Sequence, residues 1–321
     1  MKSVKSLELP IPYRDTYDVY DSSKIQQFMD CPRKYFINQV LGLTENMPNV
    51  HLVFGSAWHE AMDVLFEDGI KESNLDLAVE AFSETYKSDF PTSFGLHGYD
   101  SKTMGNARKA LKEYIQIYKN MEYELLHTEA AGTVPLDDDI WIVVKMDKIL
   151  RDRRGVRSFE HKTTGRKSKA WMNKWESITQ VGSYDHALRI MFPDEAGGIV
   201  IDGMVLRKSG NECVRIPITK TQDQWQLWLW ETKHWAEQIY WNFAQLQAAS
   251  LNDRALEAFP RNPMSCGHFG CDHPEICNYQ CNPLQFIDEL PPGYKREFWD
   301  PRNKIEETES NINEITGKTQ D

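Results

Sequence analysis

From Ile140 the chain changes character. IWIVVKMDKILRD and VRSFEHK, residues 140–152 and 156–162, are dense in β-branched and aromatic residues, and the RRG between them supplies the glycine of a hairpin turn. A helical pattern follows over about 174–191. Two more strand-like runs come next, GGIVIDGMVLRK and ECVRIPI, again separated by a turn containing glycine. The order hairpin, helix, hairpin specifies an α/β class with a mixed central β-sheet flanked by helices.

Ahead of this core the chain is mostly helical. YDSSKIQQFMDCPRKYFINQVLGL, 20–43, predicts a helix capped by Ser22 or Ser23 and interrupted at Pro32, and helical spacing recurs over 56–66, 75–90 and 102–127. Behind it, 222–249 predicts a long helix with Trp225, Trp228, Leu229, Trp235, Ile239, Phe243 and Leu246 on one stripe, a core face in preference to a base-stacking platform. Beyond about Asp300 only Ile305, Ile312 and Ile315 are apolar, which is the composition of a disordered tail. The expected organisation is an extension at 1–19, one domain over 20–285 with a helical insertion at about 67–130, and a polar tail at 286–321. With 40% hydrophobic and 12% aromatic residues the chain can fill such a core. No apolar run approaches the roughly eighteen residues of a membrane span, and MKSVKSLELPIPYRD lacks the apolar core of a signal peptide, so a cytoplasmic protein with no membrane partner is expected.

The net charge of −11 argues against broad attraction to nucleic acid, yet residues 145–174 hold eleven Lys and Arg against three acids, Asp147, Asp152 and Glu160. Such a run is either a solvated hairpin surface or a phosphate-tracking rim around an acidic centre. In a strand, side chains two apart share a face, so Glu160 and Lys162 project together while His161 faces away. If the hairpin brings Asp147 alongside, two carboxylates and an ammonium converge, a poor arrangement unless a divalent cation joins them. Mg²⁺ takes oxygens from one or two carboxylates, keeps several waters and accepts more oxygens from a substrate phosphate. Lys162 would then hold or activate the attacking water.

This D-x12-E-x-K pattern resembles the PD-(D/E)xK nuclease superfamily. GSAWHEAMD places His59 on a helix upstream of the sheet, and QVGSY places Gln180 and Tyr184 one turn apart after the lysine, similar to the histidine and the Q-x-x-x-Y of RecB-like nucleases. The order His, Asp, Glu-x-Lys, Gln-x-x-x-Tyr carries the resemblance, over roughly 20–285. It implies a restriction-endonuclease-like core and a metal-dependent DNA nuclease, an exonuclease acting on single strands or ends in a bacterial cell or phage-infected host. The catalytic set it implies is Asp147, Glu160, Lys162, Gln180 and Tyr184, with His59, Asp147, Glu160 and His161 around Mg²⁺ or Mn²⁺.

The cysteines extend the likeness. Cys31, in CPRKYF, is far from Cys266, Cys271, Cys277 and Cys281 in CGHFGCDHPEICNYQC. One early cysteine with a C-terminal group is similar to the iron-sulfur RecB-like nucleases, and implies a [4Fe-4S] cluster on Cys31, Cys266, Cys271 and Cys277, with Cys281 an alternative ligand or a spare. Zinc held by cysteine with His268 or His273 is the rival, and unligated thiols the third reading. As a clasp between the ends of the domain, such a crosslink is worth roughly 5 kcal/mol in the loop-closure model. GRKS at 165–168 lacks the leading glycine of a nucleotide-binding loop, so unwinding would need a helicase or recombination partner. An iron-sulfur DNA-binding accessory subunit with an inactive centre is the alternative function.

Overall fold

The computed structural model describes residues 3–90, 101–266, 271–308 and 310–317. Its main elements, in chain order, are α1 Ser22–Asp30, α2 Val50–Glu67, α3 Leu75–Asp89, α4 Met104–Tyr118, β1 Glu124–Pro135, β2 Trp141–Asp152, β3 Gly155–Thr164, α5 Thr179–Met191, β4 Ala196–Val205, β5 Glu212–Ile218 and α6 Gln222–Leu246. The five strands lie in the order β5-β4-β3-β2-β1. All neighbours are antiparallel except β3 and β4, which are parallel and joined by α5, the crossover a parallel pair requires. The mixed sheet flanked by helices is the fold class expected.

Each face of the sheet has its own core. On one, α1, α5 and α6 bury Phe28, Tyr184, Leu188, Trp228 and Phe243 against Met146, Ile149 and Ile201. On the other, α2, α3 and α4 bury Phe54, Trp58, Phe82 and Leu111 against Leu150, Phe159 and Val200. The α6 stripe is a core face as expected: Trp228, Ile239, Phe243 and Leu246 are buried, and Trp225, Leu229 and Trp235 pack against them. Among the described residues no helix is long and apolar enough to cross a membrane.

Three expectations are corrected. The helix foreseen over 102–127 ends at Tyr118 and the chain enters β1, so the helical segment stops short of 130. ELLHTEAAGTVP is ambiguous by composition, and pairing with β2 along its length makes it a strand. α1 is capped not by Ser22 or Ser23 but by Asp21, whose Oδ1 accepts the Lys24 N–H at 2.7 Å. The polar C-terminal segment is folded onto the domain. Ser310–Asn311 lies parallel to β1, Ile312 is fully buried, and the Asn313 amide accepts the Thr133 N–H and donates to its carbonyl, both at 2.9 Å, so a side chain completes the sheet edge.

Candidate active site

β2 has one continuous edge and one divided edge. β1 pairs with it from Trp141 to Arg151, but the opposite edge is shared between β3, at Lys148–Asp152, and the short strand Tyr20–Asp21, at Ile142 and Val143. Between these partners β2 and β3 part. Asp147 stands at the opening, and its Oδ2 accepts the backbone N–H of His161 at 2.9 Å, a carboxylate replacing the ladder acceptor lost beyond the Lys148–Phe159 pair. Alternation fails here as well. Asp147 and Lys148 both turn toward α2, where they meet His59 and Asp63, one helical turn apart. His59 Nδ1 lies 3.3 Å from Asp147 Oδ2.

Glu160 is held from the opposite face. The Gln180 amide donates to Glu160 Oε1 at 3.0 Å and to the Tyr184 hydroxyl at 2.8 Å, and Lys162 forms an ion pair with the same Oε1. Gly182, between Gln180 and Tyr184, lets α6 press on this helix: a Cβ there would lie 2.1 Å from the Trp228 indole nitrogen. The structure thus brings His59, Asp147, Glu160, Lys162, Gln180 and Tyr184 together. His161 differs. Its ring lies 3.4 Å from Asp202, which Arg215 and Tyr114 also bind, and packs on His59 and Phe66. The metal role expected of His161 is therefore not carried by its imidazole, and its backbone positions Asp147 instead.

Both acids are buried, at 8% and 2% exposure, and the cost of burying two charges falls unevenly on them. Burial, then the negative charge of Asp147, pushes the Glu160 carboxyl up to about 7 against the pull of Lys162 and His59. Burial would raise Asp147 too, but His59, His161 and Lys162 hold it well below the usual carboxylate range. Burial opposes charge on His59, yet Asp147 and Glu160 outweigh it and its pKa rises. Glu160 Oε2 has no hydrogen-bond partner among the described residues. A buried carboxylate oxygen left unpaired beside a second carboxylate fits a hard divalent cation, which takes its remaining ligands from water and phosphate. It does not fit an all-protein cage: no three His, Cys, Asp or Glu side chains among the described residues are grouped to hold a metal.

A cleft of about 470 Å³ opens onto Asp147 and Lys162, with His51, Ser56, Glu60 and Glu129 on its walls. Glu129, held by Lys145 at 3.0 Å, and Glu60 were not singled out from sequence. Glu60 adjoins His59 and was in plain view, whereas Glu129 lies in the unrecognised strand β1, at a positive φ of 55°.

The cysteine region is organised differently. All six cysteines are free thiols. The Asn262 N–H points at Cys31 Sγ, 3.4 Å away, and Cys266 Sγ faces the Asn262 carbonyl at 3.6 Å. Buried Arg33 donates to the carbonyls of Leu256, Phe259 and Cys281 at 2.7, 2.9 and 3.2 Å, binding the C-terminal segment to the CPRKYF turn. His273 pairs with Asn38, and His268 lies outside the described residues. Four sulfurs around one point, as a cluster needs, are not found among the described residues.

A mixed sheet whose central strands part around two buried carboxylates and a lysine, braced by a glutamine from the crossover helix, defines a centre for metal-dependent phosphodiester hydrolysis. The PD-(D/E)XK nuclease superfamily model matches residues 22–278, and the chain belongs to that superfamily. Membership implies metal-dependent nuclease activity with DNA as substrate. A search of curated proteins finds no match.

Proposed function

We propose that this chain is a DNA exonuclease of the RecB-like type, acting on single strands or duplex ends. The observation that carries the reading is the double brace on the acid pair, His59 on Asp147 from α2 and Gln180 on Glu160 from α5. A divalent cation at the pair supplies Lewis-acid charge and an acidified water. Lys162, half-exposed beside Glu160, holds the attacking water and offsets charge growing on the phosphorus. Gln180 fixes the rotamer of Glu160, with Tyr184 in turn fixing Gln180.

The decisive experiment compares end-labelled single strands and duplexes, with free and with blocked termini, in Mg²⁺ and Mn²⁺. Stepwise loss from free ends, abolished in Lys162→Ala, is the expected result. Cleavage of blocked substrates at the same rate makes the enzyme an endonuclease. DNA binding without cleavage in any divalent metal assigns it the accessory role.

A [4Fe-4S] cluster on Cys31, Cys266, Cys271 and Cys277 is the second part of the reading. Its support is local: Cys31 and Cys266 flank Asn262, and the charge of Arg33 acts on Cys31, Cys277 and Cys281. Anaerobically purified protein should contain iron and sulfide and absorb near 400 nm, whereas zinc without iron overturns this part.

A further inference from the structure

The fate of the eleven basic residues at 145–174 points beyond the acid pair. Six are neutralised within the protein: Lys145 by Glu129, Lys148 by Asp63, Arg151 by Glu124 and Glu195, Arg157 by Asp152, Lys162 by Glu160 and Lys167 by Glu212. Most of the run is therefore no phosphate-tracking rim. Arg153, Arg154, Arg166, Lys169 and Lys174 form no ion pair with the described residues and are exposed. Arg153 and Arg154 make the turn between β2 and β3, about 16 Å from the opening of the strands at the rise of an extended chain. Arg166 and Lys169 lie past the end of β3.

Lys174 is placed otherwise. It shares the wall of a second cleft, of about 430 Å³, with Ser22, Ser23, Gln26, Ile178 and the site residue Gln180. Its ammonium sits 4.3 Å over the ring of Trp175, which limits its wandering. The one acid on that wall, Asp30, accepts from Gln26 at 3.0 Å. Buried Glu160 is bound both by Lys162, which lines the first cleft, and by Gln180, which lines the second. Burial and then the charge of Lys162 lower the Lys174 pKa.

We propose that the two clefts form one path for a nucleic-acid strand across the acid pair, and that Lys174 holds the phosphate next to the scissile one on the Gln180 side. The assignment rests on the nuclease reading. It makes Lys174 a positioning residue: the acid pair and its cation act on the scissile phosphate, and an uncompensated ammonium fixes the register of the chain.

The test is fluorescence anisotropy of a short labelled single strand in Ca²⁺ across a salt series, for wild type, Lys174→Ala, Lys174→Arg and Arg153→Ala, with melting curves for each. Lys174→Ala should weaken binding about tenfold and flatten the slope of log affinity against log salt by about 0.7, the share of one phosphate on a single strand. Lys174→Arg should restore both, Arg153→Ala should change neither, and all melts should coincide. The inference falls if Lys174→Ala binds with the wild-type slope, if Arg153→Ala weakens binding equally, or if the loss accompanies a lower melting point. Wild type that cuts DNA while Lys174→Ala binds unchanged sinks this inference alone, and wild type that neither binds nor cuts sinks the nuclease reading with it.

Discussion

The opening between β2 and β3 and the corner around Arg33 both gather residues distant in sequence, but by different means. In the opening each acid has a side-chain partner of its own, His59 for Asp147 and Gln180 with Lys162 for Glu160. In the corner the bonds run from Arg33 and Asn262 to backbone carbonyls and one sulfur, and the thiols are not mutually arranged. Two buried carboxylates repel, so a site built from them has to be braced in advance. Thiols remain neutral until deprotonated and need no bracing before a metal arrives. The clasp between the domain's ends, which the sequence reading gave to a cluster, is supplied at least in part by an arginine.

The sharpest way to break this contrast is to remove charge from the braced site. Glu160→Gln keeps shape and the bond to Gln180 but cannot bind a cation strongly. Cleavage should fall by about 10³-fold or more, some 4 kcal/mol of transition-state stabilisation, while the melting point stays level or rises because a buried repulsion is gone. A lowered melting point with cleavage retained would make the pair structural. Arg33→Met should do the reverse. It strands three carbonyls, and at about 1 kcal/mol for each lost bond unfolding becomes easier by about 3 kcal/mol, read in a urea titration. An unchanged midpoint would show that the corner is held by something else.

Acid should separate the regions too. Burial pushes the His273 imidazole down to about 4, opposed by Asp272 and aided by Lys34, so the folded corner prefers it neutral. The sign follows from linkage. An unfolded histidine takes up its proton near pH 6.5, so the stabilisation is whole above that pH and is lost as the pH falls toward 4, up to about 3 kcal/mol in all. Proteolysis of the segment carrying Cys271 and Cys277 should accelerate over this window in wild type and not in His273→Gln. Equal rates in both would remove His273 from the account.

The braced site was readable because its spacings are local. Glu160 and Lys162 lie two apart on a strand, Gln180 and Tyr184 four apart on a helix, and the hairpin between Asp147 and Glu160 is short. What escaped was set by distant partners. β1 is a strand through pairing with β2, and Glu129 came into view only with it. The basic run looked uncompensated because Asp63, Glu195 and Glu212 lie far off in sequence. The C-terminal segment looked disordered because the residues that fasten it to β1, Ser310 to Asn313, meet a strand far off in sequence. Strand alternation turns the ring of His161 away from Glu160, but Asp202 as its neighbour comes from a distant strand that the spacing does not reveal.

The smallest expected effect tests whether bracing itself matters. Gly182→Ala adds one methyl group at the contact of α5 with Trp228, whose indole would have to retreat from a 2.1 Å approach. Overpacking of this kind costs about 2 kcal/mol, which the chain should survive folded. The displaced helix carries Gln180 away from Glu160, and because no charge is removed, cleavage should fall about tenfold rather than a thousandfold, with more Mg²⁺ needed to reach half-maximal rate. Lost stability with full activity at unchanged Mg²⁺ would show that Glu160 finds its place without Gln180. The contrast between a site braced beforehand and a corner awaiting its ligand would then fail at the point where it is most exposed.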